Sequence, residues 1–112
     1  MPKPEEVLDT LQQLEDELRR MAWWEATPPP PEALSSRMPF HADHLTLAQW
    51  LQWVFLPRMR LLMEHGASPP GPCAIAPAAE LAWEDHPDAT AVLLPLLRRI
   101  DRMLTELART PS

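Results

Sequence analysis

A chain of 112 residues, 46% of them apolar and 23% charged, supports one ordinary core, which excludes a disordered tail or a collagen-like fibre and leaves little room for a second domain. Ten basic against 16 acidic residues give a net charge of −6, which counts against an extended electrostatic grip on nucleic acid. Two glycines against 15 prolines, no tyrosine, and few valines or isoleucines disfavour hairpins and strands, so residues 1–112 are expected to form one all-α domain, a four-helix bundle.

The first helix is expected from about Pro4 to Glu25. Val7, Leu11, Leu14, Leu18 and Met21 alternate steps of four and three and share one face. Trp23 and Trp24 close this segment, pointing about 100° apart, so that one enters the core while the other covers a loop. The prolines at 28–31 end the helix and act as a stiff spacer, followed by a short extended piece.

The second helix is expected to start at Thr46, whose hydroxyl and Gln49 form a capping box, and to end near Gly66. Leu47, Trp50, Leu51, Trp53, Val54, Phe55, Leu56, Met59 and Met63 ring its cylinder almost completely, which marks a central rod buried on several sides. Pro57 interrupts it: the missing N–H cannot serve the carbonyl of Trp53, and a kink or break follows. A proline-rich loop from Ser68 to Cys73 leads to a short helix around Pro77 to Glu84. Asp85, with Asp88 three residues on, then caps a last helix from about His86 to Ala108, bent at Pro95.

Few residues suggest chemistry. His41, Asp43, His44 and His65 are of the right type for a metal, yet their spacing fits no ligand pattern, and Asp43 is more simply an acceptor for backbone amides. Cys73 sits among prolines and aliphatic residues and reads as an inert small hydrophobe, and Ser35 and Ser36 lack a nucleophile-elbow context. No catalytic residue, cofactor or metal ligand is assigned. Arg58, beside the proline interruption, needs acceptors, and an ion pair with Asp43, Glu80 or Glu84 is expected ahead of a ligand contact. Arg98, Arg102 and Arg109 form a basic stripe within about 40° on the last helix, which would hold RNA weakly at most. The opening MPKPEEVLDT is unlike a secretory signal, no apolar run spans a membrane, and the lone cysteine fits a reducing compartment, so a cytoplasmic protein is expected.

The residues Pro39-Phe40, Asp43, Trp50-Leu51-Gln52-Trp53-Val54, Pro57-Arg58-Met59, Pro70-Gly71, Ala76-Pro77, Glu80 and Pro87 resemble the YqcC-like family of small bacterial proteins. The similarity runs from roughly the first helix to the last. It implies a cytoplasmic helical bundle with no catalytic residue to carry over. Genes of that family often lie near one for a tRNA pseudouridine synthase, which implies such an enzyme as a partner. The four-proline run and Pro95 look like features of this chain.

The expected role is therefore a non-enzymatic protein-interaction or adaptor module, a monomer or small homo-oligomer. It would present an exposed apolar patch of Trp23 or Trp24, Phe40 and the connection from Pro69 to Ile75, with Trp50, Trp53 and Pro57 building shape. Two alternatives stand beside it. One is an accessory to tRNA modification acting through a pseudouridine synthase or through the basic stripe. The other is a small ligand-binding protein or enzyme with a pocket at Asp43, Arg58 and Glu80, which requires those groups to converge.

Overall fold

The leucine stripe of the first helix forms as its spacing requires: α1 spans Pro4–Arg20, and Val7, Leu11, Leu14 and Leu18 are fully buried. Thr10, also fully buried, donates its hydroxyl to the Glu6 carbonyl at 2.9 Å, so its polar atom is satisfied inside the helix. The structure, a computed structural model, describes residues 2–69 and 73–109. The expectations placed on Pro70, Gly71 and Pro72 lie outside them.

The helix stops at Arg20 rather than near Glu25. Ala22 adopts φ +61°, its N–H donates to the Arg19 carbonyl at 3.1 Å, and the Trp23 N–H donates to the Leu18 carbonyl at 2.9 Å. These two bonds close a Schellman motif, with alanine at the position glycine usually takes. Trp23 and Trp24 therefore lie beyond the helix and not on its last turn.

Pro30 is extended at ψ 152°, and Pro31 then opens a single helical turn, α2, Pro31–Leu34, where an extended piece was expected. Proline suits that first position because its φ is already helical and its missing donor has no intrahelical acceptor there. A 3-10 turn at Pro39–His41 follows, with Phe40 and His41 both left-handed at φ 56° and 52°.

Thr46 caps the next helix as expected, its N–H bound to Gln49 Oε1 at 2.8 Å and the Gln49 N–H bound to Thr46 Oγ1 at 3.2 Å. The rod comprises α3 (Leu47–Trp50), a π turn (Leu51–Phe55) and α4 (Leu56–Glu64). The Leu56 N–H reaches the Leu51 carbonyl, so the ladder has already widened where Pro57 fails to donate. The interruption is thus a wide turn within a continuous rod. It ends at Gly66, φ +66°, by a second Schellman closure in which Ala67 N–H meets the Leu62 carbonyl at 2.9 Å.

The short helix α5 covers Ile75–Ala82 and the last helix, α6, Leu93–Arg109. Both begin away from the expected points. Residues 87–92 are turns, with the buried Thr90 hydroxyl on the His86 carbonyl at 2.7 Å, and neither Asp85 nor Asp88 caps α6. Pro95 stands third in α6, just after Leu94, whose N–H donates to the Thr90 carbonyl at 3.1 Å, so its missing donor falls in the first turn of the helix and not in the interior.

The architecture is all-α, with no strand among the described residues. α1 lies against both α4 and α6, and α5 lies against α6. Leu11, Leu14 and Leu18 meet Leu51, Phe55 and Leu56 from the rod, Leu97 and Ile100 from α6 and Ile75 from α5 in one core. Ala33, Leu45 and Val54 form a smaller cluster beneath Trp50. The far side of the rod is uncovered: Pro57 and Arg58 are exposed, and Leu61 is 58% exposed.

Candidate interaction groove

Leaving α1 through Ala22, the chain crosses the rod at Glu25. Gln52, in the π turn and buried, pairs with that backbone as a neighbouring strand would: its Oε1 accepts the Glu25 N–H at 2.8 Å and its Nε2 donates to the Glu25 carbonyl at 2.6 Å. Gln49 Nε2 donates to both carboxylate oxygens of Glu25 at 3.2 and 3.3 Å, and Trp53 Nε1 donates to Oε1 at 3.2 Å. The capping glutamine of α3 and a tryptophan of the π turn thus hold one half-buried anion. Both donors are neutral, and no cation pairs with Glu25 among the described residues.

A groove of about 720 Å³ opens beside this carboxylate. Its walls include Trp23, Phe40, Leu47, Ala82 and Trp83, with Thr46, Gln49 and His86 as further polar groups. Trp23 packs on Trp83 at 5.6 Å between centroids and edge-on to His86 at 6.1 Å, fixing one wall. The other is Phe40, edge-on to Trp50 at 4.9 Å, with Trp50 stacked on Phe55 at 5.3 Å. Phe40 makes this contact from a left-handed backbone, a conformation that costs about 1–2 kcal/mol at a bulky residue. A smaller cavity of about 280 Å³ lies on the other side of Phe40, lined by Trp50, Phe55, Arg58, Cys73 and Leu104.

Of the expected apolar patch, Trp23, Trp24 and Phe40 are partly buried, and Trp23 and Phe40 line the main groove. Trp24 lies under the Arg19 guanidinium, 4.5 Å from the ring centroid. Among the described residues of that connection, Pro69 and Ile75 are buried, Cys73 is partly buried and Ala74 is exposed, and all four line the small cavity. Trp50 and Trp53 are both half-buried, Trp50 between the rings of Phe40 and Phe55 and Trp53 on the Glu25 carboxylate.

The ion pair expected for Arg58 does not form. Asp43 is bound to the Ser36 hydroxyl, which holds its carboxyl below the usual range, and lies 3.4 Å from His44. Glu80 is bound to Arg98 at 2.8 Å, and Arg58, beside Pro57 on the uncovered side of the rod, reaches water. Asp43, Arg58 and Glu80 do not converge: neither cavity is lined by Asp43 or Glu80, because each is held by a partner on its own side of the fold. Of the basic stripe, Arg98 is committed to Glu80, while Arg102 and Arg109 are exposed. His41 spends Nε2 on the Leu34 carbonyl at 3.0 Å, and no group of three metal-ligating side chains assembles among the described residues. No helix among them is long and apolar enough to cross a membrane.

Two anchoring contacts escape a reading of the sequence. Glu25 and Gln52 are one; the signal was an amide inside an apolar run. Asp101 is the other: its carboxylate accepts the Ile75 N–H at 2.8 Å and the Ala76 N–H at 2.7 Å, capping α5 from α6. Thr105 accepts the Cys73 N–H at 3.1 Å just outside that cap. Burial, reinforced by the Asp101 carboxylate, pushes the Cys73 thiol up to about 12.

Fold and site define a small all-α bundle with an apolar groove and a structural carboxylate at its edge. The family model DUF446, described as tRNA pseudouridine synthase C, matches residues 6–103, and the chain belongs to this family. It is 37% identical over 97 residues to the uncharacterised protein YqcC of Escherichia coli, covering 86% of this chain and 88% of that one. An uncharacterised protein of Haemophilus influenzae is 38% identical over 87 residues, covering 78% of this chain and 82% of the relative. The solution NMR structure of E. coli YqcC superposes with a TM-score of 0.85 at 34% identity, covering all of this chain and 96% of that one. A stretch of 64 residues, 57% of this chain, is 41% identical to part of a Pectobacterium carotovorum protein named tRNA pseudouridine synthase C, of which it covers 17%.

Proposed function

We propose that the protein is a non-enzymatic interaction module that acts with a tRNA pseudouridine synthase. The observation that carries this reading is the Pectobacterium protein, in which a segment like 64 residues of this chain occupies 17% of a polypeptide bearing the synthase name. Two bodies on one polypeptide meet at millimolar effective concentration, an arrangement suited to parts that work together. Where they are separate chains, a docking surface must replace the linker, and the Trp23–Phe40 groove supplies apolar area for one. The dispersal of Asp43, Arg58 and Glu80 supports docking over catalysis. The Arg98–Glu80 pair, which removes part of the basic stripe, supports a protein contact over direct RNA binding.

The test is calorimetry and light scattering of the purified chain mixed with the pseudouridine synthase of the same genome. A defined complex with Kd below about 10 μM is expected. No heat and no mass shift at about 100 μM removes the reading. A parallel titration with tRNA should give weaker binding that disappears with salt. If tRNA instead binds more tightly than the enzyme, the chain is an RNA-binding accessory.

A further inference from the structure

We propose that the groove beside Glu25 takes a segment of the partner protein in which an apolar anchor adjoins one arginine or lysine, the cation seating on the Glu25 carboxylate. This rests on the reading of the chain as a module for the synthase, and it names what that partner presents.

The first ground is an uncompensated charge. Glu25 is partly withdrawn from water, its carboxylate is held by Gln49 and Trp53 at 3.2–3.3 Å, and none of these donors carries a positive charge. Glu15, Glu17 and Glu80, by contrast, are each paired with an arginine within the fold, and Asp101 is spent on the first amides of α5. An anion fixed in place and short of a counter-charge favours a cationic ligand, since the orientation has already been set by neutral groups. The second ground is the wall chemistry. Trp23, Trp83 and Phe40 present aromatic surface to a space of about 720 Å³, room for an apolar side chain with its backbone.

Charge also sorts the occupants. A phosphate or an RNA backbone would meet the Glu25 carboxylate at the groove and be repelled. A second copy of this chain would add another body of charge −6. A basic, apolar segment of a different protein is drawn by both the local carboxylate and the overall field.

The experiment measures affinity for the synthase by calorimetry across four variants of the full chain, each checked by thermal melting and by the Trp53 indole N–H resonance. Glu25→Gln keeps an acceptor for Trp53 and removes the charge; affinity should fall about tenfold. Ala82, exposed and lining the groove, permits a test that leaves Glu25 untouched. Ala82→Lys should also weaken binding about tenfold, while Ala82→Glu, of similar bulk, should hold or improve it. Leu61→Ser, on the uncovered side of the rod, should bind within about twofold of the parent, as a surface change outside the interface does. If Glu25→Gln and Ala82→Lys both match the parent, or if Ala82→Glu is the weaker of the Ala82 pair, the groove assignment falls while the synthase reading stands. If the parent chain itself does not bind the enzyme, both fall. Should Glu25→Gln fail to fold, the Ala82 pair decides.

Discussion

At Gln52 a single side chain does the work of a hydrogen-bonded strand edge, satisfying both the N–H and the carbonyl of Glu25 from inside the π turn. Replacing it by leucine, similar in size, leaves two partly buried backbone groups without partners. Gln52→Leu should therefore cost about 3 kcal/mol, read as a lower urea midpoint at unchanged m-value. An effect below about 1 kcal/mol would mean water replaces the amide there. Asp101 acts in the same way on α5, where its charge complements the first amides of the helix. Asp101→Asn keeps one acceptor and should cost about 1–2 kcal/mol in the same measurement. It should also move Cys73. Burial first, then the Asp101 carboxylate, pushes that thiol to about 12 from an ordinary value of 9.0. At pH 8 the thiolate is only about one part in ten thousand, so alkylation of the native protein should be slow, faster in Asp101→Asn and fastest in urea. The folded state keeps this proton where the unfolded chain releases it. Cys73 therefore contributes stability that is lost as pH rises from about 9 towards 12.

The π turn explains why the rod tolerates Pro57. Leu47, Leu51, Phe55, Met59 and Met63 all belong to the core and are spaced by four. On a regular α-helix that stripe would drift by roughly 160° from first to last, and one widened turn removes roughly 100° of the drift. The phase of the core, and not the proline alone, holds the wide turn in place. Pro57→Ala should accordingly change stability by less than about 1 kcal/mol, whereas removing a proline from an ordinary helix interior gains about 3. A gain of the larger size, seen in urea unfolding, would mean the proline had imposed the turn against the packing. This spacing of fours was visible in the sequence, yet almost every position of the rod is apolar, and the stripe is hidden among its neighbours. What was legible shares a physical trait. The Thr46–Gln49 box, the Gly66 stop and the leucines of α1 each depend on residues within a few positions. The misplaced boundaries depend on distant or unmarked groups: α1 ends on a left-handed alanine, and α5 begins where an acceptor from α6, 26 residues away, meets Ile75. The groove was legible in its aromatic members Trp23 and Phe40. Its carboxylate was not, because Glu25 acquires meaning only through Gln49, Gln52 and Trp53 on another element.

For the molecule as a whole, α1 is the element that joins the others, and its ionic links set how the fold responds to acid. Arg60 reaches from α4 to Glu15 on α1 at 2.8 Å and to Gln12 at 3.1 Å, while Arg19 bonds the same carboxylate at 2.8 Å. Burial pulls the Glu15 carboxyl up, but the two guanidinium groups outweigh it and leave it below its ordinary 4.5; Arg20 lowers Glu17 in the same sense. A carboxyl that holds its proton less tightly when folded than when unfolded contributes stability above the unfolded value and surrenders it as pH falls through the folded one. Stability should thus be level from about pH 6 down to 4.5 on this account and decline below it. Glu15→Gln removes the charge that both arginines share. It should lower stability at pH 7 by about 1 kcal/mol, the scale of a partly exposed ion pair, and flatten the acid limb relative to the parent. Urea midpoints taken between pH 3 and 7 on the two proteins make the comparison. Parallel acid limbs would place the response on other carboxylates, Glu17 first, and leave the Arg60 bridge as packing: its aliphatic stem would then join α4 to α1 without its charge.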